Sequence, residues 1–140
     1  MVNDRNIERF LKAQERIYTI ALQELHEGRK RSHWMWYIFP QLKGLGHSYN
    51  SRFYGISGTE EASEYFKDPI LRQRLMEVSN VILNLATDDA VEVFGGIDSR
   101  KLKSSMTLFD LVSPNDIFAR VLDKYFNGQR DNQTLAIIQS

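Results

Sequence analysis

Ile7-Glu8-Arg9-Phe10-Leu11-Lys12-Ala13-Gln14-Glu15-Arg16-Ile17-Tyr18-Thr19-Ile20-Ala21-Leu22-Gln23-Glu24-Leu25 sets Ile7, Phe10, Leu11, Gln14, Ile17, Tyr18, Ala21, Leu22 and Leu25 three and four residues apart. That spacing puts them on one face of an amphipathic helix. Asn3 or Asp4 can cap its start and Gly28 can end it in a left-handed turn, which predicts a helix from Asp4 to Glu27.

The same period recurs downstream in shorter pieces. Ser32 can cap a second helix through the aromatic block Trp34-Met35-Trp36-Tyr37-Ile38-Phe39, which Pro40 stops. Residues 40–52, rich in glycine, serine and asparagine, read as an irregular loop, and Phe53-Tyr54-Gly55-Ile56 as a short extended piece. Ser57-Gly58-Thr59-Glu60 matches a capping box, and Asp68-Pro69 opens a helix striped with Leu71, Leu75, Val78, Ile82 and Leu85. Thr87-Asp88-Asp89 caps a short helix ending at Gly95-Gly96, and Asp98 caps the next, through Leu102, Met106, Phe109 and Leu111. Ser113-Pro114-Asn115-Asp116 starts a helix closed by Gly128, and a last one runs from Asp131 to Ile138. Strand signals are weak and nothing reads as a linker, so the expectation is an all-α, compact single domain over 1–140, a bundle of about six to eight helices with an irregular loop after the second.

Bulk composition narrows the function. The chain has 140 residues, 42% of them hydrophobic, enough for a core without cross-links. Eighteen basic and eighteen acidic residues cancel, so no global field draws it to nucleic acid or a membrane surface. With no cysteine, thiol catalysis and thiolate metal sites are excluded. His26, His33 and His47 lack the paired spacing of a metal helix, and no metal or cofactor is called for. Val2-Asn3-Asp4-Arg5-Asn6 has no apolar signal-peptide core, and no stretch approaches the roughly 18 apolar residues of a membrane span. A soluble, cytoplasmic protein is expected.

Four stretches can carry chemistry. In the aromatic block, Trp34 and Trp36 are either core anchors or walls of a ligand cleft, since one short helix cannot bury every ring. Arg29-Lys30-Arg31 either complements a helix C-terminus or, for Lys30 beside a helix starting at Ser32, helps hold an anion. Gly44-Leu45-Gly46-His47-Ser48 offers backbone N–H groups and a hydroxyl without being a P-loop. Asp98, Lys101 and Ser105 share one helical face, with Ser104 and Thr107 hydroxyls among apolar neighbours that need partners. His33 is the candidate general acid–base, with Asp98 beside it; Glu24, Glu27, Glu60, Glu61 and Glu64 read as mostly solvated.

Lys30-x-Ser32-His33-Trp34-Met35-Trp36-x-Ile38-Phe39-Pro40-Gln41-x-x-Gly44-Leu45-Gly46-x-Ser48, with Ser51 and Tyr54-Gly55-Ile56, closely resembles the DUF1810 family. Glu61-Ala62, Tyr65, Phe94-Gly95, Asp98, Lys101-Leu102 and Ser104-Ser105-Met106-Thr107-Leu108-Phe109 extend the likeness over nearly the whole chain; Arg72, where the family usually has glycine, departs from it. The resemblance implies a small helical domain of uncharacterised function and an association with ADP-ribose or NAD-linked pathways. Some members carry a calpastatin-like label, but that inhibitor is disordered and this composition is that of a folded domain.

Together these readings give an expected function: binding of an anionic, ring-bearing small molecule of nucleotide or ADP-ribose type, with hydrolase or transferase activity. Lys30, Ser32, Trp34, Trp36, Gln41, Ser48, Tyr54, Lys101 and Ser105 would bind the ligand, and His33 and Asp98 would move protons. The alternative is a non-catalytic module using the aromatic block as a protein-contact face. A nucleic-acid partner is disfavoured by the short basic run and the neutral net charge.

Overall fold

A computed structural model of the chain describes residues 2–139, with side chains from Ile7 to Gln139. Eight helices follow in order: α1 (Val2–His26), α2 (Met35–Ile38), α3 (Tyr49–Tyr54), α4 (Thr59–Lys67), α5 (Pro69–Leu83), α6 (Ala90–Val112), α7 (Ile117–Phe126) and α8 (Asn132–Gln139). Among the described residues the extended pairing is a lone parallel bridge between Leu42 and Ile56. The all-α expectation therefore holds. The caps assigned to Asn3 or Asp4 lie outside the residues whose side chains are described.

Local chemistry explains most helix ends. Gly28 leaves α1 at φ 78°, a left-handed angle glycine adopts freely. Asp68 accepts hydrogen bonds from the Ile70 and Leu71 amides with Pro69 in the first turn, and Asp89 accepts from Val91 and Glu92. Asp116 caps α7 through the Ile117 amide, and Asn127 and Gly128 both turn left-handed after it.

Some expectations are corrected. Ser32 does not cap α2, which starts three residues later behind Trp34 and has no side-chain cap, because the Ser32 hydroxyl binds Glu24 instead. The 40–52 loop ends early: Ser48 caps α3 by accepting from the Ser51 amide, and Phe53-Tyr54 completes that helix rather than forming an extended piece. Gly58, not Ser57, precedes α4, and the Glu61 carboxylate reaches back to the Ser57 amide. Asp98 is not a cap. The two expected helices are joined end to end as α6, bent at Gly95 (φ 83°, ψ 168°), and Asp98 turns its carboxylate to Lys30 and Lys101.

Packing follows from the apolar stripes. α6 lies against α4, α7 and α8, while α1 lies against α2, α4 and α5. Phe109 stands at the centre, 5.4 Å from the Tyr65 ring, 6.4 Å from Phe66 and 5.8 Å from Phe118. Phe10 from α1 meets Tyr65 edge-on at 5.1 Å, joining both halves of the bundle. No helix among the described residues is long and apolar enough to cross a membrane.

The fully buried Phe109 ring supplies the test of this architecture. Phe109→Ala should cost about 3–5 kcal/mol of stability in urea denaturation; a loss under about 1 kcal/mol would mean that the four-ring contact is not the centre of the core.

Candidate functional site

The loop after α1 is shaped by one carboxylate. Glu24 falls on the apolar stripe of α1, three residues after Ala21, and is buried. It accepts from the Arg31 amide (2.8 Å), the Ser32 amide (3.0 Å), the Ser32 hydroxyl (2.5 Å) and the Trp34 indole Nε1–H (2.9 Å). Burial works to raise its pKa, but these hydrogen bonds outweigh it and lower the pKa from 4.5 to about 2. The reading of Glu24 as solvated is corrected: a buried charge must be satisfied, and four neutral donors satisfy this one.

With residues 31–34 so fixed, Lys30 is aimed across the molecule. Its amide donates to the Val93 carbonyl (2.8 Å), two residues before the bend in α6. Its Nζ reaches Asp98 Oδ2 (2.8 Å) and the Ser32 carbonyl (2.6 Å), and lies 4.9 Å from the Trp34 ring centre. Lys101 Nζ holds the other oxygen of Asp98 at 3.2 Å and lies 5.8 Å from the Trp36 ring centre. Burial pushes against ionisation of Asp98, yet the hydrogen bond and charge of Lys30, with Lys101, keep its carboxyl below the usual range.

These groups line one polar cavity of about 140 Å³, walled by Lys30, His33, Trp34, Trp36, Asp98 and Lys101 together with Met35, Ser48 and Asn50. Three segments distant in sequence thus meet: the loop and helix 30–36, the start of α3, and the first turns of α6 after its bend. Two ammonium groups against one carboxylate leave a net positive charge. The Ser48 oxygen accepts from the Ser51 amide as a helix cap, which leaves the hydroxyl proton for a ligand. His33 is exposed, and its carbonyl accepts from the Tyr37 hydroxyl (2.7 Å).

Four other sequence candidates lie elsewhere. Ser32 is held by Glu24. Tyr54 packs on Tyr37 and lines a separate open groove with Arg9, Lys12 and Phe53. Gln41 lines a second cavity, described below. Ser105 is buried in the core, its hydroxyl unpartnered among the described residues, while Ser104 and Thr107 donate to the Arg100 and Lys103 carbonyls. Trp34 is fully buried, so no face is left on which a ring could stack; Trp36 is 6% exposed. With Met35, Ile38 and Phe39 also buried, the aromatic block presents little contact area to a protein partner. Among the described residues no group of three or more His, Asp or Glu side chains could hold a metal ion.

Asn50 and Glu24 escaped the sequence reading. Asn50 follows a serine cap by two residues, a pattern common to ordinary turns. Glu24 was readable, since its position on the apolar stripe demanded a partner.

Residues 4–138 match a family model described as "Protein of unknown function (DUF1810)". The fold is similar to the crystal structure of the conserved hypothetical protein Rv1873 from Mycobacterium tuberculosis, with 41% sequence identity and a TM-score of 0.94 over 96% of this chain and 97% of that one. No match is found among curated proteins.

The Glu24 network makes stability depend on pH. Its folded pKa lies below the unfolded value, so its contribution is present above roughly pH 4.5 and is lost as pH falls towards about 2. Glu24→Gln should be less stable at neutral pH and should show a shallower fall across that window in denaturation curves. Parallel pH slopes for the two proteins would contradict this role.

Proposed function

The chain belongs to the DUF1810 family, described as of unknown function, and we propose from its site that it binds the anionic group of a ring-bearing small molecule, of nucleotide or ADP-ribose type, at the cavity between Lys30, Ser48 and Lys101. The observation that carries this reading is the convergence of Lys30 and Lys101 on the two oxygens of Asp98 inside a polar hollow. An Asp98 shared by two cations holds them in place without cancelling both, and the remaining positive charge favours a phosphate or carboxylate. The Ser48 hydroxyl, the Asn50 amide and the His33 imidazole add hydrogen-bonding groups around it.

The volume limits what enters. About 140 Å³ takes a phosphate group and few further atoms, well under the roughly 300–1,000 Å³ of pockets that enclose a whole ligand. The ligand's ring therefore lies outside this hollow and does not stack on Trp34. The two tryptophans act as apolar walls that strengthen the field of the ammonium groups laid against them.

A hydrolytic or group-transfer step would need a proton carrier at this hollow. Asp98 is held ionised by its two lysines and is a poor base, so it positions the cations. His33, exposed at the rim, is the group that would deliver or accept the proton.

Titration calorimetry with inorganic phosphate, adenosine monophosphate and ADP-ribose tests this. At least one should bind, and Lys101→Ala should weaken it about tenfold or more with little change in melting temperature, since Lys101 is part-exposed. No binding by any of them, or equal binding by the variant, would overturn the assignment.

A further inference from the structure

A second cavity of about 340 Å³ adjoins the first, and Lys101 lines both. Its other walls include Gln41, Leu45, Ile97, Arg100, Lys103 and Asp131. The glycine loop joins the two hollows: Leu45 faces the second, and Ser48 faces the first. Three properties make this hollow more than a groove between helices.

Its charge is mainly positive, Arg100, Lys101 and Lys103 against Asp131. Arg100 and Lys103 have no carboxylate within ion-pair distance among the described residues. Asp131, on the same wall, accepts from the Thr134 amide (2.9 Å) and hydroxyl (2.6 Å) at the start of α8; these neutral donors leave its charge in place, and the three cations outnumber it. Its polar lining is also incomplete. Gln41 is 1% exposed, and its Nε2 finds no hydrogen-bond partner among the described residues. A buried amide without a partner destabilises the fold unless something else receives its protons. Finally, its walls include two aliphatic side chains, Leu45 and exposed Ile97, that suit an uncharged ligand body.

We propose that this cavity holds the body and a second anionic group of the same ligand, so that the protein recognises molecules charged at both ends, such as a sugar or nucleoside bisphosphate. One anion sits against Lys30 and Lys101, the ring passes Lys101 into the space beside Leu45 and Ile97, and the other anion meets Arg100 and Lys103. Gln41 donates its free amide protons to the ligand. This rests on the anion site proposed above and adds the ligand class to it.

The test compares matched pairs by calorimetry: adenosine monophosphate against adenosine bisphosphate, and fructose monophosphate against fructose bisphosphate, with inorganic phosphate as the reference. At least one bisphosphate should bind at least tenfold more tightly than its monophosphate. The double variant Arg100→Ala, Lys103→Ala should erase that gain while leaving inorganic phosphate binding intact. Gln41→Met should weaken the bisphosphate severalfold while the melting temperature stays level or rises, an outcome that a purely structural glutamine would not give. Phosphate binding with no gain for either bisphosphate, or a gain untouched by the double variant, would overturn this inference and leave the anion site standing. No binding by any probe would overturn both.

Discussion

The Glu24 carboxylate, lodged on the apolar stripe of α1 and saturated by four donors from residues 31–34, is the constraint from which the rest of the structure follows. A charge buried in that position must be satisfied in full, and no ion pair does so among the described residues. Neutral donors do it, and to supply them the chain must fold back over the end of α1 in one particular path. That path seats the Trp34 indole in the core, delays α2 to Met35, and leaves Lys30 pointing at α6. The carboxylate therefore acts as a template for the loop, and the loop in turn assembles the cationic hollow.

Two further polar anchors repeat the device on α1. Arg9 donates to the Phe53 and Gly55 carbonyls and pairs with Glu61 at 2.8 Å, tying α1 to the α3–α4 turn. Gln14, buried in mid-helix, donates to the Tyr37 carbonyl and the Tyr65 hydroxyl and accepts from Arg74. So the first helix binds α2, α3, α4 and α5 by directed hydrogen bonds as well as by apolar contact. Such networks fix one arrangement among the many that a set of greasy helices allows.

Much of the fold was legible because helix periodicity and capping are local. The stripe from Ile7 to Leu25, the Asp68-Pro69 start and the glycine at the end of α1 all depend on residues within a turn or two. What depended on distant partners was not legible. Ser32 has the right chemistry for a cap, but a carboxylate on the previous helix claimed its hydroxyl. Asp98 likewise looked like a cap until two lysines from different segments took its oxygens. Of the candidate residues named from sequence pattern, Lys30, His33, Trp34, Trp36, Ser48, Asp98 and Lys101 are brought by the fold to one hollow; charged and aromatic residues beside breaks in helices have few local uses. It could not separate them from Ser32, Tyr54 and Ser105, since which side of a short helix faces inward is settled only by tertiary packing.

The bend at Gly95 carries a consequence for how the cations are aimed. A methyl group placed there would meet nothing within 4 Å, so crowding does not enforce glycine at this position. The backbone angles do: φ 83° with ψ 168° belongs to a region that left-handed amino acids avoid and their mirror images favour. D-alanine would fit where L-alanine would not. The bearing of Asp98, Lys101 and their neighbours thus hangs on a single achiral unit of the chain, the one residue type free of handedness at such angles.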